Sequence, residues 1–178
     1  MSQKFSKSYE KAIVFDLDDT LYQEIDFVRS AYNYIQNFIL LKYKIDISPI
    51  TNKAIKDLKI RLYDEIIKQT YLTESTFPLN QYLILYRYHY PNLSINQDLI
   101  SFLDTLKNQY LLGLITNGRS VTQRNKLRAL QLINFFDTII ISEESGYSKP
   151  QPENYKSFEI LYPECKQFIY IGDNSNID

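Results

Sequence analysis

Three carboxylates close a short apolar run near the start of the chain. Residues 12–15, Ala-Ile-Val-Phe, read as a buried strand, and Asp16, Asp18 and Asp19 follow at once. Side chains alternate faces along a strand, so Asp16 and Asp18 project to one side wherever the backbone stays extended. Two carboxylates side by side repel each other and call for a cation, a shared proton or a substrate. In an open α/β sheet that strand end is also where ligands bind. An acidic turn in which Asp19 caps a helix is the plainer alternative for this segment taken alone.

Three more polar clusters follow three more apolar runs. Residues 111–115 lead into Thr116-Asn117-Gly118. Residues 138–141 and Ser142 precede Ser148-Lys149-Pro150, and residues 168–171 run into Gly172-Asp173-Asn174, with Asp178 five positions past Asp173. Parallel strands would carry all four clusters to one sheet edge. The types are complementary there: carboxylates, a hydroxyl beside a backbone turn, one ammonium, and further carboxylates.

The elements that must position these groups alternate. Helical spacing appears over residues 95–109 (Leu99, Phe102, Leu103, Leu106), 120–130 (Val121, Leu127, Leu130) and 154–161 (Tyr155, Phe158, Leu161). Strands alternating with helices predict a doubly wound α/β fold with a parallel sheet. The first two strands are separated by a long stretch whose residues 23–92 are mostly helical in pattern. Residues 26–43 carry Phe27, Tyr34, Phe38 and Leu41. Ser48-Pro49 opens a helix predicted to reach about Thr70 through Ile55, Leu58, Leu62 and Ile66, and residues 80–90 form another. The expected division is therefore a catalytic core of residues 1–22 and 93–178 and a helical insertion of residues 23–92. An insertion just after the first strand stands where a lid belongs. A bundle without a role in the chemistry is the other reading.

Composition narrows the function classes. The chain has 178 residues, 44% of them hydrophobic, and a formal net charge of −1. Scattered lysines and arginines with no basic block argue against a nucleic-acid partner gripped through many phosphates. The single cysteine, Cys165, excludes an internal disulfide and fits a buried thiol in a reducing cytoplasm. The first ten residues are polar, without the apolar centre of a signal peptide, and no stretch has the length to span a membrane.

The four clusters in this order resemble the motifs of the haloacid dehalogenase superfamily, whose members are mostly phosphatases. Asp16, Asp18 and Thr20 match its Asp-x-Asp-x-Thr motif, and Thr116 its second motif. Lys149-Pro150 matches the third, and Gly172, Asp173, Asn174 and Asp178 match the fourth. The resemblance implies a Rossmannoid parallel sheet with helices on both faces and a C1-type helical cap. It implies a Mg²⁺-dependent phosphomonoester hydrolase acting on a small phosphorylated metabolite, a sugar phosphate or a nucleoside monophosphate. Asp16 would be the nucleophile and form an aspartyl-phosphate, with Asp18 as general acid and base. Thr116 and the Asn117 backbone N–H would hold the phosphoryl group, and Lys149 would stabilise its charge. The metal would take the Asp16 and Asp173 side chains and the Asp18 main-chain carbonyl, with Asp178 behind them orienting Lys149 or a metal-bound water.

Asp18 sets the chain apart from the dehalogenases, whose halide leaving group needs no proton. A phosphomutase uses the same four motifs and stays open. Members of the superfamily continue past the fourth motif through a helix, a fifth strand and a closing helix, which are missing here, so the fourth strand is expected at an exposed edge. A truncated, weakly active remnant serving as a binding module is the second reading. Tyr22, Arg61, Arg87 and His89 are candidate pocket residues. The sequence leaves the substrate and the oligomeric state open.

Overall fold

The computed structural model describes residues 9–175 and 178. The polar N-terminal stretch noted above lies largely outside the described residues. In chain order the elements are β1 (Lys11–Phe15), α1 (Glu24–Tyr43), α2 (Ser48–Lys56), α3 (Leu62–Gln69), α4 (Leu79–Tyr88), α5 (Gln97–Lys107), β2 (Leu111–Thr116), α6 (Ser120–Ala129), β3 (Thr138–Ile141), α7 (Ser142–Ser145), α8 (Glu153–Leu161) and β4 (Gln167–Ile171). No helix among the described residues is long and apolar enough to cross a membrane. The chain divides into two compact units, Met1–Gln23 with Ser94–Asp178, and Glu24–Leu93.

The first unit is built on a parallel sheet in the order β3-β2-β1-β4, the α/β architecture expected from the alternating pattern. Its two central strands are its most buried. Every residue of β2 is buried, as are the last four of β1. Register sets Phe15 beside Leu114 on one side and Ile171 on the other, and Thr116 beside Ile141. All four C-terminal strand ends therefore lie along one edge. The chain steps outward from β1 to β3 and then crosses to the far side of β1 to add β4. That reversal opens a crevice between β1 and β4, where such sheets bind ligands. β4 is an edge strand with alternating exposure, and Ile169 and Ile171 remain partly open.

A cluster around Ala12, Val14, Leu111, Ile115 and Phe158 fills one face of the sheet, and Cys165 is buried within it. Two predicted stripes shift in detail. On α5 only Leu103 is fully buried, and Phe102 is exposed. On α6 Val121 is exposed, and the buried residues are Gln123, Lys126 and Leu127. The inward face of α6 is thus partly polar, which an apolar-stripe reading passes over.

The second unit packs α1 to α4 around Ile35, Ile39, Ile47, Leu62, Ile66, Leu72 and Phe77. On α1 the buried positions are Phe27, Ala31, Ile35 and Ile39, spaced i, i+4, together with Tyr32, whereas Tyr34 and Leu41 face solvent. The helix expected from Ser48 to about Thr70 is two helices. Asp57 accepts the Lys59 N–H at 3.1 Å, and its own carbonyl accepts from Ile60 at 3.0 Å. Such an aspartate turn competes with the helix and ends it without glycine or proline.

His89 belongs to the interior of this unit. It is 4% exposed, lies near the rings of Phe27 and Tyr34, and shares hydrogen bonds with the Tyr86 carbonyl at 2.9 Å and Ser30 Oγ at 3.2 Å. Burial lowers its pKa from the ordinary value of 6.5, and the Tyr86 carbonyl only partly offsets this. A depressed folded-state pKa contributes stability that is present above the unfolded value and lost as pH falls below it. Between about pH 7.5 and 5.5, near the free-histidine pKa, His89→Gln is expected to lose less melting temperature than the parent protein. Equal losses in the two proteins would assign the acid sensitivity to other groups.

Candidate active site

Asp16 directly follows β1, and its N–H donates to the Ile171 carbonyl at 2.9 Å, tying it to the end of β4. Asp16 is 8% exposed. Lys149 Nζ lies 2.9 Å from Asp16 Oδ1 and 2.5 Å from Asp178 Oδ1, and donates to Tyr170 Oη at 2.9 Å. The lysine is 5% exposed, so its charge is neutralised by these partners and little by solvent. Its main chain is clamped by the Asn117 side chain. Asn117 Oδ1 accepts the Lys149 N–H at 2.8 Å, and Asn117 Nδ2 donates to the Lys149 carbonyl at 3.2 Å. The Lys149-Pro150 peptide is cis.

Burial pushes the Asp16 carboxyl above its usual range, against the opposing pull of Lys149. Asp178 goes the other way. Burial would raise it, but hydrogen bonds from Lys149, the Asn174 backbone and Tyr170 outweigh that and lower it. Asp178 sits directly over Gly172, where an added Cβ would stand 2.1 Å from Asp178 Oδ2. A glycine is needed at that position for the carboxylate to reach the site.

Asp16, Asp173 and Asp178 each offer an oxygen, and these atoms lie within 4.8 Å of one another. With Lys149 as the adjacent cation, the fully ionised group carries two formal negative charges in excess. Hard oxygen donors around a divalent charge deficit fit Mg²⁺ better than a softer ion. The carboxylates that gather are Asp16, Asp173 and Asp178, so Asp178 stands with the candidate ligands as well as on Lys149.

The Asp18 side chain turns elsewhere. The chain reverses after β1, with the Leu21 N–H donating to the Leu17 carbonyl and Asp19 in the left-handed region at φ 54. This breaks the extended geometry under which Asp16 and Asp18 would be parallel. Asp18 Oδ1 accepts from Lys126 Nζ at 2.7 Å and from the Tyr22 hydroxyl, and Oδ2 accepts from Gln123 Nε2 at 2.9 Å. Gln123 also donates to Thr116 Oγ1 at 2.8 Å. Thr116 and Asn117 are adjacent in sequence, so they join the Asp18 group to the Lys149 group. Thr20, the third position of the first motif, has a buried hydroxyl with no hydrogen-bond partner among the described residues.

Three residues of this network are absent from the sequence-derived site: Tyr170, Gln123 and Lys126. Tyr22 belongs to the sheet unit and bonds Asp18, whereas His89 is committed to its own helical unit. The signal for Gln123 and Lys126 was their i, i+3 spacing in line with Leu127 and Leu130, two polar residues on a core-facing row.

The haloacid dehalogenase-like hydrolase family matches residues 13–178. The chain belongs to that family. Among its relatives, glyceraldehyde 3-phosphate phosphatase of Methanocaldococcus jannaschii is 31% identical over 184 residues, covering 94% of this chain and 78% of the relative. N-acylneuraminate-9-phosphatase of Homo sapiens is 24% identical, covering 94% and 76%. A solved structure of YfnB from Bacillus subtilis, a HAD-hydrolase bound to magnesium, is similar in fold. Its TM-score is 0.64 at 22% identity, over 97% of this chain and 81% of that one. This haloacid dehalogenase-like hydrolase thus shares its α/β fold with a protein of low sequence identity, and its sequence relatives carry phosphatase names.

Proposed function

We propose that this chain hydrolyses small phosphomonoesters in a Mg²⁺-dependent reaction through an aspartyl-phosphate on Asp16. The observation that carries the reading is the buried Asp16 carboxylate held by Lys149 beside Asp173 and Asp178, at the sheet edge that also presents Thr116. A carboxylate is a weak nucleophile and repels an anionic ester. Mg²⁺ bound by Asp16, Asp173 and Asp178 would reduce that repulsion and polarise the phosphoryl group. An Asp16 oxygen attacks phosphorus and the ester P–O bond breaks. Asp18 is assigned the proton transfer to the leaving alcohol, which requires a protonated Asp18 released from the Lys126 ion pair seen here. Water then attacks the acyl phosphate, gives its proton to Asp18, and leaves orthophosphate and free Asp16. Lys149 stabilises the charge on the transferring group as a fixed cation in a buried site. Thr116 donates its hydroxyl to a phosphoryl oxygen.

The names of the two relatives support a small, sugar-like phosphorylated metabolite as substrate. We assign the helical unit Glu24–Leu93 the role of a cap that selects the substrate. Orthophosphate release should be measured on a panel of sugar phosphates, triose phosphates and nucleoside monophosphates, with Mg²⁺ and after chelation. Activity is expected to fall on the order of 10²-fold or more without metal and to return when Mg²⁺ is restored. Turnover that ignores chelation would overturn the metal assignment. Isomerised sugar phosphate in place of orthophosphate would identify a mutase.

A further inference from the structure

Gln123 lies on α6 and is 2% exposed. Its side-chain nitrogen makes two bonds, to Asp18 Oδ2 at 2.9 Å and to Thr116 Oγ1 at 2.8 Å. An amide nitrogen has two hydrogens, so both are committed. The opposite amide orientation would set the glutamine oxygen against a carboxylate oxygen at the same 2.9 Å, acceptor to acceptor. The carboxylate of Asp18 therefore dictates which end of Gln123 faces Thr116.

That choice propagates to the threonine. A hydroxyl has one proton and two lone pairs. Because Gln123 donates to Thr116 Oγ1, the proton of Thr116 must point away from Gln123. Its hydrogen bond within the chain is a long 3.4 Å contact to the Asn117 carbonyl, weak enough for a better acceptor to displace. Gly118 holds the arrangement from the other side. It has φ +139, and an added Cβ would meet Gln123 Cδ at 3.0 Å, so the glutamine packs against bare backbone. Asp18 is pinned at its other oxygen by Lys126 and Tyr22.

We propose that Gln123 is a positioning residue for phosphoryl transfer: its amide turns the Thr116 proton outward to the phosphoryl oxygen and fixes the Asp18 carboxylate in the same contact. The proposal rests on the phosphatase reading above. It departs from simple structural support in one respect, because the direction of the hydrogen bond matters more than the shape of the side chain. Glutamate has the shape of glutamine but only accepts from Thr116 when ionised. It would draw the threonine proton inward and set a second carboxylate against Asp18.

The test compares Gln123→Glu, Gln123→Met and Thr116→Val, alone and combined, by kcat, KM and the inhibition constant of orthophosphate, with melting temperatures to establish folding. Gln123→Met is expected to weaken orthophosphate about tenfold, the scale of one hydrogen bond. In the Thr116→Val background the same change is expected to add little, because the two residues act through one contact. Gln123→Glu is expected to lose at least about tenfold more kcat/KM than Gln123→Met, for the loss of a donor and a new like-charge contact. Additive losses in the cycle, or a Gln123→Glu enzyme as active as the parent, would overturn the proposal. Should one Gln123 variant not fold, the other still reads the coupling to Thr116. A parent enzyme that hydrolyses no ester with Mg²⁺ overturns the phosphatase reading and this proposal together. An active parent with an additive cycle overturns this proposal alone.

Discussion

Asp16→Asn is expected to reduce phosphate-ester hydrolysis by on the order of 10⁴-fold, because an amide cannot form the acyl phosphate that the mechanism requires. The fold is expected to survive. Asn is nearly isosteric with Asp, and Lys149 keeps Asp178 and Tyr170 as partners. Stability at neutral pH should hold or rise. Burial raises the Asp16 carboxyl in the folded protein, so the folded state binds a proton more readily than the unfolded chain. Such a group lowers stability as pH rises from the unfolded carboxylate value through the raised folded one. Removing the ionisable carboxyl removes that cost, which is the usual opposition between a reactive site and a stable one. The measurement is steady-state release of orthophosphate alongside a thermal melt. An Asp16→Asn protein that is folded and still active would sink the nucleophile assignment.

Lys149→Met is expected to damage both activity and stability. The ammonium is the shared cation of Asp16 and Asp178, and the three carboxylates of the site converge within 4.8 Å. Breaking a buried pair by removing one partner typically costs about 3–5 kcal/mol, because the remaining charge is left without compensation. Two carboxylates lose their cation here, so the upper part of that range is expected without metal. Added Mg²⁺ should then raise the melting temperature of Lys149→Met more than that of the parent, since the cation substitutes for part of the missing charge. Activity with saturating Mg²⁺ should remain about 10²–10³-fold down, the effect of losing one preorganised electrostatic contact to the transferring group. A variant as stable as the parent in chelator would show that Lys149 does not compensate these carboxylates.

Much of the fold is legible in the sequence. The apolar runs ending at Asp16, Thr116, Ser142 and Gly172 are all strands of one parallel sheet, because short continuous apolar runs suit strands buried on both faces. The departures have local causes. Asp57 breaks the second helix of the insertion through a side-chain turn that hydrophobic periodicity does not register. On α1 the buried stripe runs through Phe27, Ala31, Tyr32, Ile35 and Ile39, and Tyr34 lies off it.

The sequence by itself determined the element types, the family and the kinds of group placed at each strand end, since these follow from short-range pattern and residue chemistry. Tertiary structure alone decided which groups meet. The crossing of the chain to put β4 beside β1 brings Asp173, Asp178 and Tyr170 to Asp16 and Lys149. The turn after Phe15 sends Asp18 to Lys126 and Gln123, over a hundred residues along the chain. The physical reason is that a hydrogen bond or ion pair depends on distance and direction in space, whereas spacing along the chain carries information only within one helix or strand.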